Sequence, residues 1–395
     1  MADLFMFEKP LGMRDTLPNL FKIKHSIKQM MMDETVRYGY RFLETPSLEY
    51  YETVGKVSAT RDLQLFKLLD KDGHSLVLRP DMTSPIARVA SSHLLKEGNP
   101  QRLAYSANVF RAQEKEGGRP AEFEQFGIEL IGDGTLSADA EVLCLLSDVL
   151  KRAGLNRFHI TLGHIGFVQE LLLHFGGCVE TAGILRRFLF EKNYVGFKEY
   201  VSHMPISLKD KEILLRFLDL KGGRQILQLA EELTDGQIGQ EAIKELRKLN
   251  DILDLTDHAD MITYDLSLVS HMDYYTGILF EVFGENVGFA LGNGGRYNEL
   301  YKQFGIDAPA TGFGLRLDRI LEALESVTSE ESPYCIIYHP VHQLKAMKRA
   351  AELRKSGQCV VLQNVNGVKE VNAYTSNFVQ TEFMIDLTDD SEGRG

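Results

Sequence analysis

Cysteine is scarce in this chain of 395 residues. Cys144, Cys178, Cys335 and Cys359 lie far apart and none forms a CxxC pair. That scatter argues against a disulfide framework and against structural zinc, and it leads us to expect a reducing, cytoplasmic setting. Long apolar runs are also missing. None approaches the roughly 18–20 residues that cross a bilayer, and the opening MADLFMFEKPLGMRD lacks the basic flank and apolar core of a secretory signal, so no membrane partner is expected. Positive charge is in deficit: 44 Lys and Arg against 56 Asp and Glu give a net charge of −12. This argues mildly against nucleic acid as the main partner, because phosphate contacts need clustered Lys and Arg, although a local basic groove is compatible with an acidic chain. There is no Ser/His/Asp order and no metal-ligand spacing. His159, His164 and His174 read as ordinary surface or hydrogen-bonded histidines. Internal repeats and low-complexity tracts are absent.

What is present is an ordinary globular composition, 44% hydrophobic and 25% charged, long enough for two or three domains. Phe21–Tyr38 carries apolar residues at helical spacing. YRFLETPSLEY follows as a strand whose regular pairing ends at Pro46. LFKLLDKDGHSLVLRPD reads as a hairpin turning at Asp72–Gly73. Helices are expected at Ile86–Leu95 and Ala138–Ala153, with strands in LAYSANVFRAQ, EFEQFGIELIG and RFHITLG. From about residue 176 to 260 the chain turns rich in Leu, Glu and Lys and reads as an inserted helical subdomain. Strand signals return in GILFEVF, GFALGNGGRYNEL and TGFGLRLDRILEALE, the last running into a helix. TSEESP (328–333) is a polar linker, and YCIIYHP, a helix near Leu344–Lys355, CVVLQNV and FMIDL form a small α/β unit. The expected fold is α+β: a mainly antiparallel sheet with flanking helices and a helical insertion over residues 1–327, then a small α/β domain over 328–395.

Five segments carry chemistry. In VFRAQEKEGGRPAEFEQFGIELIG, Arg111 ends one strand, Arg119 lies in the loop, and Gln125 and Glu129 share a face of the returning strand. A carboxylate and an amide side by side suit an amine or a protonated ring, although a polar outer sheet face has the same alternation. LRPDMTSP offers Arg79, Asp81 and Thr83; the last two could grip an ammonium group or sit in a solvated turn. GNGGRYN permits close backbone approach but does not continue into GK[ST], so it is no P-loop. In ATGFGLRLDRI, Arg319 at a helix start could meet a phosphate or be solvated. LVSHMDYYTG adds Tyr274 and Tyr275 as the wall of a polar pocket.

In this order the segments resemble class II aminoacyl-tRNA synthetases, and among them the catalytic core of histidyl-tRNA synthetase, over about Pro10 to Leu324. YGYRFLETPSLE resembles the motif 1 dimer segment, VFRAQ…GRPAEFEQFGIE motif 2, and GFGLRLDR motif 3. MDYYTGILFE and GNGGRYNEL resemble the two histidine-specific signatures, the most diagnostic part of the likeness. The resemblance implies a histidine pocket in which Asp81, Thr83 and Gln125 hold the α-amino group, Glu129 and Tyr275 meet the imidazole, and Tyr274 and Tyr297 line the walls. A carboxylate and a phenol can satisfy both ring nitrogens, which favours histidine over analogues lacking a partner.

The departures from the family carry as much. Motif 2 opens with Phe110-Arg111-Ala112-Gln113 where the synthetases have Phe-Arg-x-Glu, and Ser270 stands where the histidine signature has Arg. Losing a group that stabilises developing charge costs on the order of 10²–10³-fold in rate. Asp318 replaces the usual Glu of motif 3. The C-terminal unit is shorter than an anticodon-binding domain, and from Glu331 onward seven Lys/Arg face eight Asp/Glu, so no tRNA is expected. A kept amino-acid pocket with a damaged adenylation centre resembles the synthetase paralogues that serve as regulatory subunits of ATP phosphoribosyltransferase. That implies no catalytic residue and no cofactor, with histidine as effector. It also implies a short-form catalytic subunit as partner and a homodimer through motif 1 within a hetero-octamer. Arg111, Arg119 and Arg319 remain as residual phosphate or anion contacts. An active histidyl-tRNA synthetase with an unusual site is the alternative.

Overall fold

The computed structural model describes residues 8–58, 60–95, 98, 100–112, 120–270, 274–324 and 333–385. Helix α1 (Pro18–Arg37) opens on a proline, whose fixed φ suits a first helical turn. It buries Ile27 and Met31 on one face. The stretch read as one strand is two: β1 (Arg41–Phe42) and β2 (Leu48–Tyr50) belong to different sheets, with Pro46 between them. Strands β3 (Lys67–Leu69) and β4 (Ser75–Leu78) form the expected hairpin. Its turn holds Gly73 at φ +86°, and the Asp70 carboxylate accepts from the amides of Asp72 and His74, both at 2.8 Å. β2, β4 and β3 make a small three-stranded sheet.

After α2 (Thr83–Val89) come the long hairpin β5 (Gln101–Phe110) and β6 (Glu122–Ile131), α3 (Leu136–Arg152) and β7 (Phe158–His164). The helical insertion begins earlier than composition suggested. Helix α4 (Ile165–Gly176) follows β7 directly, capped by the His164 ring, which accepts from the Gly166 amide at 3.1 Å. Its buried, strongly apolar run does not contrast with the strand before it, so composition could not mark the boundary. The insertion continues through α5 (Val179–Phe190), α6 (Tyr194–His203), α7 (Leu208–Phe217), the short β8 (Lys221–Gly222), α8 (Ile226–Glu231) and α9 (Gln237–Asp254). The chain returns to the sheet with β9 (Ile262–Asp265), β10 (Ile278–Gly284), β11 (Ala290–Arg296) and β12 (Ala310–Arg316), and α10 (Leu317–Ala323) follows at once.

The large sheet has nine strands in the order β1-β5-β6-β12-β11-β10-β7-β9-β8. Only β1 with β5 and β7 with β9 pair parallel; the other neighbours are antiparallel. Period-two alternation divides its faces. Phe126, Ile128 and Leu130 of β6, with Phe313 and Leu315 of β12, enter the main core beside Val142, Leu146 and Val149 of α3. Burying a Phe or Leu side chain in this way contributes about 1.5–3 kcal/mol. The alternate residues of the same strands, among them Gln125 and Glu129, turn to the opposite face, where a second core holds Leu103, Tyr105, Tyr275 and Tyr297.

The chain divides into two compact units, Met1–Val327 and Thr328–Gly395. TSEESP lies outside the described residues, apart from Pro333. The second unit has β13 (Tyr334–Tyr338), α11 (Gln343–Lys355), β14 (Val360–Asn364), α12 (Val371–Thr375) and β15 (Gln380–Met384). Its sheet is parallel, in the order β14-β13-β15. α11 covers one face through Ala346 and Ala350 against Ile336. The last strand begins three residues before the apolar FMIDL, because Gln380–Met384 is the stretch in register with β13.

Candidate functional site

The strand register brings distant residues to one cavity on the sheet face opposite α3. It is lined by Asp81, Thr83, Arg111, Gln125, Glu129, Tyr274, Tyr275, Tyr297, Asn293, Phe313 and the bare backbone of Gly312 and Gly314. All seven residues expected to hold histidine are therefore together, with one expected anion contact, Arg111. Arg119 and Gln113 lie outside the described residues. Arg319 is not a liner: β12 ends at Arg316 and α10 turns Arg319 back, so that its guanidinium bonds the Ala290 carbonyl and lies 5.2 Å from the Phe289 ring centroid. Asn293, not among the expected residues, also lines the pocket, and its amide reaches the Tyr275 hydroxyl at 3.5 Å; the glycines around it in GNGGRYN mask its polar role in the sequence.

The acid at the centre is Glu129. It is buried and accepts from Thr83 Oγ1 at 2.9 Å and from the Tyr297 hydroxyl. Burial pushes its carboxyl up to about 8, assisted by the charge of Asp81 and opposed by those two hydrogen bonds. At neutral pH it thus keeps its proton. Asp81, also buried, accepts from Ser58 Oγ and from the Ser84 amide at 3.0 Å. Gln125 donates to Tyr105 at 3.2 Å, while its buried Oε1 makes no hydrogen bond. A buried acceptor left in this way is costly unless a donor arrives.

Tyr274, Tyr275 and Tyr297 form a tight aromatic cluster with ring centroids 5.2–6.4 Å apart. Burial raises all three phenols above their ordinary range, so they stay protonated and can donate. Arg111 donates to the Pro80 carbonyl at 2.9 Å, and burial lowers its pKa against the pull of Asp81.

The glycines are required by contact. A Cβ on Gly312 would come within 2.3 Å of Glu129 Oε2, and one on Gly314 within 2.1 Å of Gln125 Nε2. Arg79 braces the site from behind. Buried, it donates to the Asn108 carbonyl at 2.8 Å and the Thr45 carbonyl at 2.6 Å, two residues before Asp81. Ser270 sits at the edge of the insertion, where Arg186 of α5 donates to its carbonyl at 3.3 Å. Arg296 of GNGGRYN is structural: it pairs with buried Asp139 at 2.9 Å and holds the carbonyls of Asp133 and Thr135. His164 and His159 are structural too; the first contacts Glu245 at 3.1 Å and the second stacks on Phe283.

A larger cavity of about 190 Å³ lies between α4, α5 and Val269. Its walls are apolar apart from Gln169 and Arg186, so it lacks the convergent polar groups of the first. Among the described residues the one cluster with metal-ligand proximity is Asp70, Asp72 and His74 on the exposed hairpin turn, which the turn hydrogen bonds account for. No described helix is long and apolar enough to cross a membrane.

The antiparallel sheet with its acid, amide and tyrosine pocket defines a protein of the histidyl-tRNA synthetase class. A family profile described as histidyl-tRNA synthetase matches residues 12–320, and one described as the C-terminal domain of histidyl-tRNA synthetase HisZ matches residues 335–386. ATP phosphoribosyltransferase regulatory subunits from Geobacillus sp. (strain WCH70) and Bacillus subtilis (strain 168) are 53% and 52% identical, over 98% and 97% of this chain and 98% of each relative. A crystal structure from Bacillus halodurans, described as an ATP phosphoribosyltransferase regulatory subunit/histidyl-tRNA synthetase, superposes with a TM-score of 0.90 at 48% identity, covering 97% of this chain and 100% of that one. Histidyl-tRNA synthetase from Nostoc sp. PCC 7120 shares the fold at a TM-score of 0.77 and 19% identity, covering 94% of this chain and 88% of that one. The chain belongs to the ATP phosphoribosyltransferase regulatory subunits, non-catalytic paralogues of histidyl-tRNA synthetase.

Proposed function

We propose that this subunit is a histidine sensor. It binds free histidine in the tyrosine-lined pocket and acts on a short-form ATP phosphoribosyltransferase catalytic subunit, supporting its activity and relaying feedback inhibition in the first step of histidine biosynthesis. The observation that carries this reading is the convergence of Asp81, Thr83, Gln125, Glu129, Tyr274, Tyr275 and Tyr297 on one cavity. Asp81, Thr83 and the open Gln125 Oε1 take the ammonium group. Glu129 and Tyr275 take the ring nitrogens, with Tyr274 and Tyr297 as walls. Arg111 takes the carboxylate, supplying the cation that Ser270 does not; Arg119 is a secondary anion contact, and Arg319, bonded to the Ala290 carbonyl, takes no part.

Self-association is the second part of the reading. Leu48, Tyr50 and Leu68 lie exposed on one face of the small sheet, in register with Leu78 and Leu76. A homodimer pairing through this motif 1 region, within a hetero-octamer, covers that face. The four unpaired cysteines fit a cytoplasmic setting, and the acidic balance of the chain fits a function without tRNA.

Thermal melting tests the sensor. Histidine at 100 times its dissociation constant adds about 2.7 kcal/mol of stability, and Glu129→Ala removes the shift. A melting curve unmoved by histidine at millimolar concentration would leave a scaffold without an effector site.

A further inference from the structure

The pocket floor continues past the amino-acid contacts. Along β6 the residues on the pocket face are Glu129, Gly127, Gln125 and Phe123; along β12, Gly312, Gly314 and Arg316 stand opposite the first three in register. The floor therefore runs from an acid, across glycines, to an amide and then an aromatic ring. At the ring it stops. The Arg316 guanidinium lies 3.8 Å from the Phe123 ring centroid, in stacking contact, and Arg111 lies 5.5 Å from the same centroid. Asp318 holds Arg316 there through two hydrogen bonds, 3.2 Å from Nε and 2.7 Å from Nη2.

A planar ring is a stacking surface for any flat group, but a guanidinium already on it must first be displaced, losing its cation–π contact and its paired geometry with the carboxylate. With the imidazole at Glu129 and the carboxylate at Arg111, the carboxyl end of the bound amino acid points toward Phe123. We infer that Arg316 is a specificity-determining plug. Lying on Phe123, it closes the carboxyl end of the pocket, so that a free amino acid is accepted and one extended through its carboxyl by a planar aromatic group is refused. This rests on the histidine reading above, which fixes the direction of the ligand.

The test uses the full chain and three ligands in calorimetric titration: L-histidine, L-histidinamide and L-histidine β-naphthylamide. Histidinamide loses the carboxylate without adding a ring, so the ratio of the last two affinities isolates the plug. In the unaltered protein the naphthylamide binds at least about tenfold more weakly than histidinamide, the scale of a desolvated cation–π contact. In Arg316→Ala, histidine and histidinamide stay within about threefold of their original affinities, while the naphthylamide gains about tenfold or more. Phe123→Leu in that background removes the gain. Asp318→Asn, which frees Arg316 without deleting it, shows part of the gain and serves in place of Arg316→Ala should that variant melt early. An unchanged naphthylamide-to-histidinamide ratio, with histidine bound normally, overturns the plug alone. Failure of histidine to bind the unaltered protein overturns the sensor and the plug together.

Discussion

With histidine bound as proposed, Glu129 makes the pocket a proton-linked receptor. Its carboxyl stays protonated up to about pH 8, whereas free imidazole takes its proton below about 6.5. The complex holds one proton between the two groups, as a neutral pair or as carboxylate and imidazolium. Below about 6.5 one proton must leave on binding, and above about 8 one must be taken up. Histidine affinity is therefore bell-shaped in pH, with its plateau between those values and a fall of up to about tenfold per unit outside them. Titration calorimetry at pH 5.5, 7.2 and 9 checks this, and Glu129→Gln flattens the basic limb. The same group sets a stability trend without ligand. Its folded pKa lies above its unfolded one, so its contribution is full below about 4.5 and is lost as pH rises through about 8, at up to about 1.4 kcal/mol per unit. Residue identities at this scale were legible through the histidine signatures, because each carries a polar group with a fixed task. Arg316 was not: it sits inside a glycine motif, and only the register of β12 on β6 shows which of two neighbouring arginines faces the pocket.

The elements matter through their backbones. β12 can pass beneath Glu129 only because Gly312 has no side chain; a methyl there meets Glu129 Oε2 and the Ile128 carbonyl, both at 2.3 Å. Gly312→Ala should cost about 1–3 kcal/mol by overpacking and weaken histidine binding at least about tenfold. Gly183→Ala is the control. Its Cβ meets nothing within 4 Å on α5, and alanine there should raise stability by roughly 0.5–1 kcal/mol. Chemical denaturation of both variants reads the contrast. The alternation in β6 and β10 was plain in the sequence because one face is apolar. The break between β1 and β2 was visible as Pro46, but their membership of separate sheets was not, since pairing partners lie far along the chain. α4 was missed because an apolar helix beside an apolar strand offers no change of composition.

For the whole molecule, the exposed face of the small sheet is the feature that composition could not reveal. Leu48→Glu with Tyr50→Glu should turn a dimer into a monomer in sedimentation velocity without unfolding the subunit, since both side chains are about half exposed, at 42% and 53%. Arg79 gives that surface a second meaning. It follows directly on β4, the central strand of the small sheet, it holds the Thr45 carbonyl on the segment joining the two sheets, and it stands two residues from Asp81. Arg79 thus stands between the proposed dimer face and the proposed histidine site, bonded to the segment behind the first and two residues from Asp81 in the second. By reciprocity, whatever pairing does to histidine affinity, histidine does to pairing. Coupling of the two proposed sites is read as an apparent histidine dissociation constant that drifts as the protein is diluted, and in the double Glu variant it should be the same at every dilution.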